Sequence, residues 1–368
     1  MGSPAFVPGL ELAQALWTES VAPVLAAEFA RLAHAAALIG TGSEVLGFDD
    51  ATSTDHHWGP RLLLFLREDD RAAHAEAIER ALRERLPPRV RGWSTSFAPP
   101  GPDGSRKLEE PEPGRINHRV EVWPLRGFFR AALAWDPEAP IQTADWLTFP
   151  QQSLLSLTSG RVFHDEVGLE RIRARLEWYP REVWLYLLAS GWRRIAQEEH
   201  LVARAALVGD ELGSRVIAAR LVRDLVRLCF LLDRRYAPYP KWLGSAFRRL
   251  ACGPELTPLL ERVLAANDWP ARERALCDAY RRVAALQNAS GLAEPLPEEP
   301  TRFHGRPFRV IHADRFNDAL CARIGDPALS ELARLPRIGS LDTWSDSTDL
   351  AYPYWRRRLT ALYEPQRN

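Results

Sequence analysis

Apolar and polar positions divide the chain into two regimes, a mixed first part and a helical second part. Near the start, Leu12, Leu16, Val21, Leu25 and Phe29 recur at helical spacing within an alanine-rich stretch, predicting a helix over residues 9–37. Two short apolar runs, Ala35 to Ile39 and Leu62 to Leu66, predict a strand and a return strand. Asp69 to Arg85 reads as a second helix, with acids at its start and Pro87-Pro88 at its end. Val90 to Phe97 alternates weakly as a strand, and Pro99 to Pro113 has the Pro, Gly and charge content of a surface loop or hairpin tip. Ile116 to Trp123 then alternates clearly: Arg119, Glu121 and Trp123 share one face, while His118, Val120 and Val122 share the other.

From Trp146 onward the period becomes helical. Gln151 to Thr158 and Val167 to Trp178 are predicted helices around a short Arg161-to-Phe163 run. Val183, Leu187, Gly191 and Ile195 mark the buried stripe of a longer one. Over Glu211 to Asp233, Ile217, Leu221, Leu225, Leu228 and Leu232 face a core, with Arg220, Arg223 and Arg227 on the opposite stripe. Further helices are expected near 242–250, 255–266 and 271–289. Glu294 to Pro300 reads as a stiff linker, followed by a strand at Phe308 to Ile311, short helices and an acidic loop, Asp342 to Asp349. The expected domains are therefore 1–150, 151–293 and a 294–368 extension.

At 368 residues and 46% hydrophobic content the chain is long enough for two cores. Its formal net charge of zero gives no global attraction to nucleic acid or an anionic membrane, so neither is expected as a partner. Arginine is abundant and lysine is confined to Lys107 and Lys241, a compositional bias that makes a lysine in a site more notable. Cys229, Cys252, Cys277 and Cys321 form no CxxC pair, and no apolar run approaches a membrane span, so a reducing cytoplasm is the expected location. Cys229 and Cys277 fall in helical patterns and are expected to be buried.

Candidate chemistry concentrates between the first two apolar runs, in IGTGSEVLGFDDATSTDHHWGPRLLLFL, residues 39 to 66. Gly42 lets the backbone approach a phosphate, Ser43 supplies a hydroxyl and Asp55 can hold a divalent cation. On an extended segment Asp55 and His57 would point the same way. Arg61, after Gly59-Pro60, could reach a phosphate or cap the strand over a carboxylate. In the helical part, Tyr236-Ala-Pro-Tyr-Pro-Lys241-Trp242 could bring a lysine to phosphates and a ring to a base, or could seat the bundle as an aromatic plug. Asp165, Glu198, Glu199, His200, Asp210 and Glu211 offer further polar groups, of which Asp210-Glu211 suit a helix N-terminus. Gly339-Ser340 with Asp346 and Asp349 echoes the first stretch at shorter spacing and reads as a capped loop.

The Gly42-Ser43 turn, followed after eleven residues by Asp55-His56-His57, resembles the nucleotidyltransferase signature. The strings GSEVLGFDD…STDHHWGPR, QEEHLVARAALVGDELGS and YAPYPKWLGSAF resemble a bacterial branch of that superfamily, domain of unknown function 4037. The resemblance implies an α/β (α+β) fold, with a mixed sheet and flanking helices, plus a C-terminal helical bundle. It implies transfer of a nucleoside monophosphate from a nucleoside triphosphate to a small hydroxylated acceptor, with divalent Mg or Mn. Asp55, His57 and Glu121 would hold the metal, Asp55 and Glu121 would be catalytic, and Gly42, Ser43, Arg61 and Lys241 would bind the nucleotide. The sequence departs from the pattern in two places: His57 stands where the signature has its second carboxylate, and Gly59-Pro60 interrupts the strand. Histidine removes one negative charge, which disfavours magnesium and favours manganese or a softer ion. The alternatives are a degenerate member that binds a nucleotide or partner without turnover, and an enzyme that places a nucleotide on another protein.

Overall fold

The computed structural model describes residues 4–112 and 116–364, so Pro113, the last residue of the expected loop, lies outside the described residues. The fold is mixed α+β and mainly helical, and it divides into two compact units: residues 1–140 with 153–177, and residues 141–152 with 178–368. The first unit thus takes a segment beyond Pro150, because a strand from that segment completes its sheet.

That sheet has four strands: β1 (Ala35–Leu38), β2 (Arg61–Leu66), and, further along the chain, Arg119–Pro124 and Arg161–Asp165. Between them, β3 (Arg89–Val90) and β4 (Trp93–Ser94) form a separate tight hairpin, so Arg119–Pro124 is β5 and Arg161–Asp165 is β6. The order is β5-β2-β1-β6; β1 is antiparallel to both neighbours and β2 is parallel to β5. Every residue of β2 is buried, as a central strand covered on both faces requires. At the edge, β5 alternates as its sequence predicts: Val120 and Val122 enter the core while Arg119, Glu121 and Trp123 stay partly exposed.

Three boundaries differ from the sequence reading, each for a local reason. The first helix ends at Glu28 rather than 37 and is interrupted by a π-turn, Trp17–Val21, which leads into Pro23. A proline has no N–H for the helical ladder, and a widened turn accommodates the lost bond. Val90 to Phe97 is no continuous strand, because Arg91 (φ 51°) and Gly92 (φ 86°) form a left-handed turn that folds the chain back. The helix expected over 167–178 is only Leu169–Arg175, and the Asp165 carboxylate caps it, accepting N–H bonds from Val167, Gly168, Leu169 and Glu170.

In the second unit, helices Arg181–Glu198, Glu211–Leu232, Gly253–Ala265 and Trp269–Ala289 match the apolar stripes. A short hairpin of β7 (Thr301–Arg302) and β8 (Arg309–Val310) follows. Cys229 and Cys277 are buried among these helices. The arginine stripe of Glu211–Leu232 is paired by acids: Arg223 and Arg227 contact Asp346 at 2.7 and 2.9 Å, and Arg220 contacts Glu198 at 2.5 Å. The Gly339-Ser340 echo is accordingly a capped turn at the start of helix Leu341–Trp344, whose Asp342, like Asp346 beyond it, serves those arginines. Asp210 accepts the Gly213 N–H at 2.7 Å as N-cap of Glu211–Leu232. Asp210→Ala is expected to lower stability by about 1 kcal/mol, read as a shift in urea midpoint with unchanged slope.

Candidate functional site

The turn after β1 is held by one buried ion pair. Arg61, at the start of β2, is 5% exposed and Glu44, in the turn, is 3% exposed. Arg61 Nε and Nη2 lie 2.7 and 2.6 Å from Glu44 Oε1, and Nη2 also donates to the Thr41 carbonyl. Gly42 (φ 133°) passes over this pair; a Cβ there would collide with Arg61 Nη2 and with the Glu44 carboxylate. Of the two roles its sequence allowed, Arg61 takes the strand-end cap, with its guanidinium committed to the turn. Ser43 is half-buried, and its carbonyl accepts N–H bonds from Leu46 and Phe48.

Beyond the turn, Asp49 accepts the Gly9 N–H at 2.7 Å and the Trp58 indole N–H at 3.1 Å, tying the segment to the first helix. Asp50 then caps a 3-10 turn, Ala51–Asp55, accepting from the N–H groups of Thr52 and Ser53 while Ser53 Oγ accepts the Asp50 N–H. This turn corrects the expectation that Asp55 and His57 sit on an extended segment and point together. Asp55 is at the end of the 3-10 turn with its side chain 65% exposed, and its carboxylate meets His56 Nδ1 at 2.9 Å. That hydrogen bond holds the Asp55 carboxyl below the usual range. His57 is left-handed (φ 55°), and its N–H donates to the Arg106 carbonyl at 2.7 Å.

On the neighbouring strands, register places Arg61 beside Arg119 and Leu63 beside Glu121. Arg119 is the residue that joins the group. Its Nη1 lies 3.4 Å from His57 Nδ1, and its Nη2 donates to Glu121 Oε1 at 3.1 Å, while Trp123 Nε1 donates to Glu121 Oε2 at 3.2 Å. A guanidinium only donates, so the lone pair of His57 at Nδ1 faces Arg119. Burial, then the charges of Arg119, His56 and Arg61, lower the His57 pKa, which leaves the ring neutral at pH 7. Burial and the nearby Arg61 and Arg106 also lower the Arg119 pKa, against the opposing pull of Glu121. Glu121 and His57 are therefore linked through an arginine.

The expected metal set does not fit a cation in this arrangement. Asp55 turns to His56, and Arg119 places a positive charge between His57 and Glu121. Among the described residues, the trio of His, Cys, Asp or Glu donors gathered within metal-binding range is a different one, His34, His164 and Glu166. Lys241 belongs to the second unit, where its ammonium sits 4.9 Å over the Trp242 ring. Around it, Tyr236 packs against Trp178 and Tyr179, and Gln151 and Gln152 accept the N–H groups of Ala237 and Tyr239, the plug arrangement its sequence allowed. Glu198 takes an arginine, Glu199 accepts N–H bonds from Ile311 and Ala313, and His200 stacks on Phe303. Arg119 was visible in the sequence only as the residue sharing a strand face with Glu121.

No curated protein matches the chain. Among solved structures, it is similar to a nucleotidyltransferase-like protein from Exiguobacterium sibiricum 255-15, at 13% identity over 85% of this chain and 91% of that one, with a TM-score of 0.31. Residues 146–243, a stretch that includes the Tyr236–Trp242 turn and excludes Gly42–Arg61, match the family described as Domain of unknown function (DUF4037).

Proposed function

We propose that the first unit is a nucleotidyltransferase-like module that binds a nucleoside triphosphate beside the Thr41–Ser43 turn. The observation that carries this reading is the run of contacts from Thr41 through Arg61 and its strand neighbour Arg119 to His57, with Arg106 close enough to perturb Arg119. Arg61 shapes the turn from its buried pair with Glu44, while Arg119 and Arg106 are half-buried; guanidinium groups so placed favour a polyanion, and arginine's fork matches phosphate oxygens in pairs. Gly42 and Ser43 complete the turn, and Trp123 offers a ring beside Glu121. A triphosphate brings its own divalent cation, Mg2+ or Mn2+, which phosphates ordinarily share with one or two carboxylates. Binding thus needs no metal cage of the protein's own. Arg119→Ala is expected to weaken binding of a fluorescent triphosphate analogue about 10- to 100-fold, the loss of a charge-assisted hydrogen-bond pair. A titration showing equal affinity in the variant, or no affinity in the wild type, sinks the reading.

The second reading is turnover: transfer of a nucleoside monophosphate to a small hydroxylated acceptor in the cytoplasm. Asp55 and Glu121 favour it, since a carboxylate can take a proton from an acceptor hydroxyl. The ion pairs that occupy them favour binding alone. Incubation with labelled triphosphate and magnesium or manganese separates the two. Pyrophosphate release that disappears in Asp55→Asn establishes transfer, and retained affinity without release establishes a binding protein. Mass spectrometry of co-purifying proteins reads out nucleotide placed on a protein acceptor.

A further inference from the structure

A second cluster lies in the first unit, on one face of the β1–β6 pair. Antiparallel register sets Ala36 opposite His164, and Glu166 N–H donates to the His34 carbonyl at 2.9 Å. His34, one residue before β1, shares a face with Ala36, and Glu166, one residue after β6, shares a face with His164, so His34, His164 and Glu166 converge on the face that carries Ala36. Each contributes a donor atom, and the three atoms lie within 4.8 Å of one another. His164 Nε2 is closed off from water and sits 3.3 Å from Glu166 Oε2. His34 Nδ1 donates to the Leu32 carbonyl at 2.8 Å, which fixes the tautomer and leaves the lone pair on Nε2. A backbone carbonyl on one ring nitrogen is the usual device that orients a ligating histidine. Trp17, at the start of the π-turn, stacks on His164 with ring centres 5.8 Å apart and meets His34 edge-on at 5.7 Å. The rings are therefore braced on one side, and the carboxylate, half exposed, leaves an entry path on the other.

We propose that His34, His164 and Glu166 bind a divalent cation of the zinc type, independently of the nucleotide site. Two imidazoles and one carboxylate are a zinc ligand set, with a fourth position left for water. Zinc bonds of about 2.0–2.2 Å put neighbouring ligand atoms about 3.4 Å apart. The His164–Glu166 contact already has that separation, and the His34 ring, whose Nδ1 lies 3.8 Å from Glu166 Oε2, must turn to present its Nε2 lone pair. The alternative role for the trio is a pair of imidazoles resting on a carboxylate with no ion.

Titration of chelator-stripped full-length protein with zinc chloride by calorimetry tests the proposal. The expected result is one ion per chain, bound at least tenfold more weakly by His34→Ala/His164→Ala and with unchanged affinity by His304→Ala, whose histidine lies in the second unit. Cobalt(II) in place of zinc should give visible d–d absorption in the wild type that the double variant lacks. If the double variant fails to fold, Glu166→Gln keeps both imidazoles and should still lose affinity. Absence of binding by the wild type, or wild-type affinity in both the double and the Glu166→Gln variants, overturns the site.

Discussion

Glu44→Ala should unfold the first unit under conditions where the wild type is stable, at a cost of about 3–5 kcal/mol. The reason is what the substitution leaves behind. Arg61 is 5% exposed, and with Glu44 gone its charge keeps only the Thr41 carbonyl. Removing one partner of a buried pair strands the other, whereas replacing both with apolar groups of similar volume is often neutral. A double variant, Glu44→Leu/Arg61→Met, should therefore recover most of the lost stability. Chemical denaturation followed by circular dichroism gives both values, and a double variant as unstable as Glu44→Ala would contradict the argument. The pair also separates structure from binding. The double variant should fold yet bind triphosphate more weakly, because the Thr41–Ser43 turn loses the donor that sets its shape. Gly42 adds a covalent check on the same geometry, since any side chain there meets the ion pair and must also adopt φ 133°.

What the sequence revealed and concealed follows from the range of the interactions. Period and alternation are local, so β1, β2, the two faces of β5 and the long helices of the second unit could be read from the residues that form them. The 3-10 turn at Asp55 was also written locally, in the Asp50-x-x-Ser53 pattern of a helix cap, but a run of small polar residues reads as loop unless that spacing is weighed. Other features depend on partners distant in sequence. Glu44 and Arg61 are 17 residues apart, and nothing in either neighbourhood marks them as a pair. The arginines at 223 and 227 look like a solvated stripe until the chain returns with Asp346, more than a hundred residues later. The zinc-type trio is the strongest instance, since His34 just precedes β1 while His164 lies near the end of β6 and Glu166 just beyond it, and only the β1–β6 register brings them to one face.

Glu199 gives the second unit a pH dependence opposite to that of most carboxylates. The residue is 7% exposed, and its oxygens accept the N–H groups of Ile311 and Ala313 at 2.8 and 3.0 Å, which pins the chain after β8 to helix Arg181–Glu198. Those bonds favour the ionised form, but burial outweighs them and, with Asp314 nearby, pushes the carboxyl up to about 7 from 4.5. The folded chain thus holds this proton more tightly than the unfolded chain. The contribution is fully present below pH about 4.5 and is lost as pH rises through about 7, where ionising the buried group costs the fold about 3 kcal/mol. Glu199→Gln removes the titration while keeping size and one acceptor. Its own lost hydrogen bond lowers stability by an amount independent of pH, so the slope is the quantity to compare. Urea midpoints measured from pH 5 to 8 should fall more steeply for the wild type than for Glu199→Gln. Parallel slopes would mean that the carboxyl is already ionised at pH 5, and that the two N–H bonds outweigh burial.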